Sequence, residues 1–271
     1  MAIETKHEIR EIRSASQVES HSLEGPRPEV ALPRPVRRAP SVGAPAVPSE
    51  LREKLNLAAI RALDIFASAI LLILLLPVIL VAIVVIRIDS PGAAFFRVDR
   101  VGFQGRPLRM LKFRKMRDDA AGPNLTTDDD HRFTRVGVLL AKLKIDELPQ
   151  LWHVLRGEMS LVGPRPEDPE FVVMHEQVYR TILSVRPGIT GLSQIAFAEE
   201  SRILDDDDPH NHYVGTILPQ KVLLDEMYAE ERSLKFNLRI LFWTTAAVIM
   251  RRQVAVHRNS GKMNLRKREL A

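Results

Sequence analysis

Hydrophobic and polar positions divide this chain into stretches of different period. From Ile65 to Ile86 there is no period at all: 22 residues pass without a charge, rich in Leu, Ile, Val and Ala. As an α-helix at about 1.5 Å per residue the run is about 33 Å long, enough to cross a hydrocarbon core of about 30 Å. Pro77 sits in its middle, where a missing N–H removes a hydrogen bond and kinks a helix. Basic residues flank the run on both sides: Arg52, Lys54 and Arg61 before it, and Arg87, Arg97, Arg100, Arg106 and Arg109 after it. Such flanks give no orientation for a single crossing, as expected when both ends face one side of the membrane. Two readings stay open on these residues. One is a kinked helix that enters one leaflet and returns; the other is a single-pass anchor that tolerates its proline.

Elsewhere the period is that of short strands and short helices. Ala94–Val98 and Leu108–Phe113 read as two strands of a hairpin, with a turn at Gly102–Gly105 between them. Apolar residues at Ile145, Leu148, Leu151/Trp152 and Leu155 predict an amphipathic helix that Gly157 ends. Pro149 lies near its start, the part of a helix that accepts proline. A short helix over Val138–Lys144 leads into it. Further helical spacing covers Glu170–Leu183, Val222–Tyr228 and Ser233–Met250, the last fitting either a membrane surface or a protein core. Residues 1–50 carry seven prolines between Pro26 and Pro48 and no apolar period, so they predict an unstructured tail without a signal peptide's apolar segment. The fold class expected is mainly α with a small β-hairpin (α+β). The division expected is a Pro/Arg-rich tail (1–50), a membrane helix (51–88), a catalytic domain (89–250) and a basic C-terminal tail (251–271).

Composition narrows the chemistry. There is no cysteine, which excludes disulfides, thiolate catalysis and cysteine-ligated zinc. The net charge of +5 suits nucleic acid, anionic headgroups or phosphorylated substrates, but no nucleic-acid motif appears and aromatics are sparse at 6%. A membrane-associated protein acting on phosphates is the reading that remains. The aspartates of 118–119, 128–130 and 205–208 lie in polar connections and are read as solvated loops without metal.

The candidate chemistry starts at Asp146 and Glu147, at the N-terminus of the helix that ends at Gly157. Unpaired N–H groups and the helix dipole there suit a carboxylate or a phosphate. A simple helix cap by Asp146 is equally compatible with the local sequence. Gly163-Pro164-Arg165-Pro166 follows, a rigid turn in which two prolines hold one arginine ready to grip a phosphate through paired N–H donors. On the second strand, alternation places Lys112 and Arg114 on one side and Phe113 on the other. Arg186 precedes another Pro-Gly turn.

This string resembles the core motif of the bacterial sugar transferases, the polyprenyl-phosphate hexose-1-phosphate transferases. Three further stretches carry the resemblance: Arg61-Ala-Leu-Asp64 ahead of a proline-centred apolar run, Lys112-Phe-Arg-Lys-Met116, and Arg186-Pro-Gly-Ile-Thr-Gly-Leu-Ser-Gln194. It spans about Leu57 to Met250 and is closest to the small monotopic members, a minimal catalytic unit with an added tail. Two departures stand out. Leu76 precedes the proline where the family often has serine, and Ile195–Ser201 replaces an Asn-Gly-Arg-like stretch.

The resemblance implies transfer of a sugar-1-phosphate from a nucleotide-diphosphate sugar, expected to be a UDP-sugar, to a polyprenyl (undecaprenyl) phosphate. It implies Asp146 as nucleophile and Glu147 as its assistant. Both would bind Mg2+, with Lys112, Arg114, Arg165, Arg186 and Gln194 on the substrate phosphates. A re-entrant helix and a place on the cytoplasmic face of a bacterial inner membrane come with it; a homodimer stays open. Two rival functions fit the same residues, a membrane-tethered phosphohydrolase and a non-catalytic scaffold for glycan assembly.

Overall fold

A computed structural model describes residues 49–117, 130–204, 208–250, 254–257 and 260–265. The expectations for the N-terminal tail, for the aspartates at 118–119, 128–129 and 205–207, and for the final basic residues lie outside these. Among the described residues the longest element comes first. Helix α1 runs over Ser49–Asp89 with Pro77 inside it, and it is long and apolar enough to cross a membrane. Only one narrow stripe of it is covered: Ile60, Asp64, Ser68, Ala82 and Ile86 are buried, with Leu72, Leu75 and Ile79 half-buried between them. Steps of three and four residues keep this stripe on one side of a 3.6-residue helix. The opposite side exposes Phe66, Ile73, Leu74, Leu80, Val81 and Val84.

Both ends of α1 are tied to the same folded body. Before the apolar run, Asp64 accepts hydrogen bonds from Ser160 and Leu161; after it, Asp89 accepts one from the Val136 N–H. The Arg114 guanidinium closes the C-terminal end by donating to the carbonyls of Ser90 and Pro91.

The expected hairpin forms. Strand β1 (Phe95–Val101) pairs antiparallel with β2 (Pro107–Phe113), Phe95 opposite Phe113, and these two rings stack at 5.1 Å. Helix α2 (Arg135–Lys142) is capped by the Thr134 hydroxyl, which accepts from the Gly137 N–H. Ile145–Gln150 then forms a 3-10 helix that passes directly into α3 (Leu151–Arg156). Gly157, at φ 79°, ends it in the left-handed region that glycine enters without a Cβ clash. Leu151 and Val154 face inward, whereas Trp152 is 52% exposed.

A pairing that no sequence period announced follows. Strand β3 (Ser160–Val162) is separated from its partner by α4 (Pro169–Met174) and α5 (Glu176–Ile182), which break the expected 170–183 helix at His175. The partner is β4 (Gly188–Thr190), which lies parallel to β3. Three residues per strand are too few to show alternation. Short helices α6 (Leu192–Ala196), α7 (Glu200–Ile203) and α8 (Pro209–His212) lead through a π turn into α9 (Leu218–Glu231) and α10 (Leu234–Met250). On α10, Phe236, Asn237 and Ile240 are buried while Leu238 and Phe242 are exposed. That helix therefore packs one face in the core, as the core reading expects, and leaves apolar residues exposed on the other.

One boundary needs correction. Residues 251–271 were expected as a basic tail, but β5 (Val254–Val256) and β6 (Met263–Leu265) form an antiparallel hairpin. Val254 and Met263 are buried in the main core with Leu192, Tyr228 and Phe236. Their apolar alternation is only three residues long on each strand and is hidden among arginines and lysines.

Candidate active site

Three local devices bring charge to one place. At the end of β2, the Leu111 N–H donates to His153 Nε2 (3.0 Å), so the His153 proton sits on Nδ1, facing Glu158 at 2.5 Å. This lock between strand and α3 sets the neighbouring Lys112 against Glu147, Nζ to Oε1 3.3 Å. Lys115 is fixed by its backbone. Its carbonyl accepts from the Thr134 N–H, and a Cβ on Gly137 would stand 1.9 Å from that oxygen. Only glycine lets α2 approach so closely.

The Arg165 loop is the third device. The Gly188 N–H donates to Pro164 O (2.8 Å) and the Gly163 N–H to Thr190 O (2.9 Å). A Cβ on Gly188 would lie 2.0 Å from Gly163 N, so the two glycine-proline motifs meet backbone to backbone. Gln194 donates its amide to Gly163 O, and Asp225 accepts the Arg165 backbone N–H and the Ser193 hydroxyl. From this base the Arg165 guanidinium reaches 3.7 Å from Glu147.

Asp146 sits at the centre. It is 3% exposed, its Oδ1 has no hydrogen-bond partner, and the nearest cation is Lys115 Nζ at 3.9 Å from Oδ2. The helix begins at Lys144, at φ 57°, with no side-chain cap. The capping role offered by the sequence is therefore not what Asp146 does. Burial pushes the Asp146 carboxyl up from its ordinary pKa, and the Glu147 charge adds to this against Lys115, Lys112 and Lys144. Burial also pushes Glu147 up, but Lys112, Arg165 and Lys144 outweigh it and hold that carboxyl at about 2. The two adjacent acids are thus driven apart, one permanently charged and one held in reserve. Environments that separate paired acids are how acid, base and nucleophile roles are divided. Burial lowers both Lys112 and Lys115; Arg165 adds to it at both, with Lys115 acting on Lys112 and Lys144 on Lys115, against the charges of Glu147 and Asp146.

Of the predicted phosphate ligands, Lys112 and Arg165 meet at the acid pair. Arg114 does not; β2 ends at Phe113, alternation stops there, and the guanidinium turns to the end of α1. Arg186 gives Nε to Gly157 O and stacks over Phe103. The Gln194 side chain braces the Gly163 carbonyl. These three hold backbone rather than the space beside Asp146.

The sequence did not point to Lys115, although it stands inside the quoted motif. It also did not point to the buried set behind Arg165. There Lys221 contacts Glu167 (2.9 Å), Tyr213 (2.7 Å) and Glu200 (3.2 Å), around a small cavity that Arg165 also lines. A lone lysine in a helical period gives no such signal.

A buried carboxylate with one orphaned oxygen, beside a fixed carboxylate and three cations, has the charge to accept phosphate groups. In keeping with this, residues 55–251 match the family model of bacterial sugar transferases, and the chain belongs to that family. Among relatives, it is 42% identical over 160 residues to UDP-N-acetylgalactosamine-undecaprenyl-phosphate N-acetylgalactosaminephosphotransferase of Aeromonas hydrophila. That match covers 55% of this chain and 37% of the relative. It is 37% identical over 201 residues to undecaprenyl-phosphate glucose phosphotransferase of Komagataeibacter xylinus, covering 71% of this chain and 36% of the relative. The exopolysaccharide production protein PSS of Rhizobium leguminosarum bv. phaseoli is 33% identical over 200 residues, covering 70% of this chain and 95% of the relative. The chain thus spans little more than a third of the first two and nearly all of the third.

Proposed function

We propose that the protein transfers a sugar-1-phosphate from a UDP-sugar to undecaprenyl phosphate through a phosphosugar–Asp146 intermediate. The observation that carries this is the buried Asp146, its Oδ1 unpartnered, beside Glu147, Lys112, Lys115 and Arg165. The names of two relatives support the substrates: undecaprenyl phosphate in both, with UDP-N-acetylgalactosamine in one and glucose in the other. An Asp146 oxygen attacks the sugar-proximal phosphorus; the P–O bond to the nucleoside phosphate breaks and the nucleoside monophosphate leaves. An oxygen of the lipid phosphate then attacks the same phosphorus, and the bond to Asp146 breaks, restoring the carboxylate. Carboxylates act as nucleophiles of this kind in aspartyl-phosphate enzymes.

Lys112, Lys115 and Arg165 neutralise the phosphoryl oxygens, where positioning and charge account for most of the catalysis. Glu147 holds Lys112 and Arg165 in place and stays ionised throughout. The donor set fits Mg2+: two adjacent carboxylates, one with an orphaned oxygen, supply hard ligands while leaving positions for water and substrate phosphate. Asp146 and Glu147 would hold it. Bound there, Mg2+ would neutralise charge on the diphosphate.

The ties at the two ends of α1 support a membrane placement. A helix that crossed the bilayer outright would part Asp64 from Asp89, yet both bond to one folded body. We therefore place the helix in one leaflet with both ends on the cytoplasmic side, bent at Pro77. The acid pair then works at headgroup depth.

Radiolabelled UDP-sugar, supplied with and without undecaprenyl phosphate, tests the reaction. Label passing to lipid only when the acceptor is present supports transfer. Donor consumed equally without acceptor identifies a hydrolase, and no consumption with any UDP-sugar leaves a scaffold.

A further inference from the structure

A second cationic cavity of about 260 Å3 opens at the N-terminal end of α1, and it shares no residue with the acid pair. Its walls include Arg61, Asp64, Phe103, Arg186, Tyr228 and Arg232. Two of the three arginines are undercommitted. Arg61 gives both terminal nitrogens to the carbonyls of Val154 (2.6 Å) and Leu155 (2.8 Å) at the end of α3. Arg186 gives Nε to Gly157 O and lays its guanidinium 5.2 Å from the centre of the Phe103 ring, so its terminal nitrogens have no hydrogen bond to the described residues. The Arg232 guanidinium has no hydrogen bond or ion pair to those residues; only its backbone carbonyl is engaged, accepting from Asn56 Nδ2 (3.4 Å).

The nearby acids do not balance them. Asp64 has committed both oxygens to Ser160 and Leu161, and Glu53 stands exposed at the mouth. Burial holds the Arg232 guanidinium below its ordinary pKa, and the Arg186 charge lowers it further against Tyr228, Glu53 and Asp64. Two like charges in a partly dry cavity, their terminal nitrogens without acceptors among the described residues, cost free energy that a bound anion would remove. Planar guanidinium forks select tetrahedral oxyanions above other anions.

We propose that this cavity binds a phosphate group through Arg186 and Arg232, as a site separate from the reacting phosphates at Asp146. Leu57, Ile60, Arg61 and Asp64 line it in the turns just before the apolar run begins at Ile65. On the membrane placement proposed above, its mouth stands at headgroup depth. The phosphate is thus carried by an anionic lipid headgroup or comes free from solution, and the two sources are separable. The charges that act on Asp146 and Glu147 belong to another set, Lys112, Lys115, Lys144 and Arg165. Arg186 therefore serves a neighbouring phosphate, not the transferred one.

Arginine footprinting with phenylglyoxal tests this on the full chain in phosphatidylcholine nanodiscs, read by peptide mass spectrometry. One arm adds inorganic phosphate against chloride at equal ionic strength; another replaces part of the phosphatidylcholine by phosphatidylglycerol. Occupancy at a ligand concentration of about ten times Kd slows modification of Arg186 and Arg232 about tenfold. The exposed Arg109 and Arg180 should not change. Protection by added phosphate alone identifies a soluble source, and protection by phosphatidylglycerol alone identifies the lipid. Asp146→Asn should leave the protection intact, so the result does not depend on the transfer reaction. No protection in either arm, protection shared with Arg109 and Arg180, or protection lost in Asp146→Asn overturns the proposal.

Discussion

Two aspartates of this protein are equally buried and do opposite work. Asp64 is 2% exposed and accepts from the Ser160 hydroxyl and the Leu161 N–H, pinning α1 to β3. Asp146 is 3% exposed, yet its Oδ1 accepts from nothing and its nearest cation stays at 3.9 Å. Burial alone therefore does not separate a structural acid from a reactive one. The difference is whether the desolvation cost is offset by hydrogen bonds. Asp64 has its bonds in the folded chain and gains nothing from a ligand. Asp146 is left short of bonds and gains them only from substrate or cation. Unsatisfied buried groups of this kind gather where function demands them.

The largest effect should come from Asp146→Asn. Transfer should fall by several orders of magnitude, the scale of other nucleophile deletions, measured as turnover with donor and lipid acceptor. Stability should hold or rise, because a poorly solvated charge disappears. Next comes Arg165→Lys, which keeps the charge but loses the planar fork; kcat/KM should fall roughly 10- to 100-fold, the worth of about 1.4–2.7 kcal/mol. A wild-type value there would remove Arg165 from the phosphate-binding set.

Asp64→Ala should reverse the pattern of Asp146. The Leu161 N–H and Ser160 hydroxyl would be left buried without an acceptor, at a cost of about 3 kcal/mol in denaturant unfolding. Asp146→Ala should show no comparable loss. Equal destabilisation by the two substitutions would end the distinction between them.

The pH dependence sharpens the contrast further. In the proposed mechanism Asp146 must be ionised to attack, and its carboxyl is raised by burial and by Glu147. The acid limb of kcat/KM should therefore lie above the ordinary carboxylate range. Lys115→Met removes a charge that lowers Asp146 and should move the limb to higher pH. Glu147→Gln should move it down in whatever rate survives. The smallest effect is at Asp225, raised by burial to about 7. A raised carboxyl contributes stability that is present below the unfolded value and lost as pH rises through about 7. Asp225→Asn should flatten the unfolding free energy between pH 4 and 8; an unchanged slope would show that Asp225 titrates normally.

What could be read in the sequence was whatever has a long or rigid signature. The 22-residue apolar run, the hairpin around Gly102–Gly105, the Gly157 stop and the proline-clamped Arg165 all appear in the structure where expected. Lys112 lies beside Glu147, whereas Arg114, one residue past the end of β2, turns to the end of α1, because a strand's period holds only to its last residue. The parallel pairing of β3 with β4 is three residues long on each side and spans more than twenty residues of chain, so nothing local announces it. The same holds for Lys115 and Lys221, whose roles arise from partners distant in sequence. Residues 254–256 and 263–265 illustrate the general limit: the contribution of Val254, Val256, Met263 and Leu265 to the core was invisible inside a basic segment.

The most direct test of the central claim weighs the covalent adduct itself. Wild-type protein incubated with UDP-sugar alone, then digested, should carry a hexose phosphate on the peptide containing Asp146, and tandem fragmentation should place it on that residue. Added undecaprenyl phosphate should discharge it into lipid-linked product. The same mass on the same peptide of Asp146→Asn, or an adduct that fragments to Glu147, would contradict the nucleophile assigned to this site.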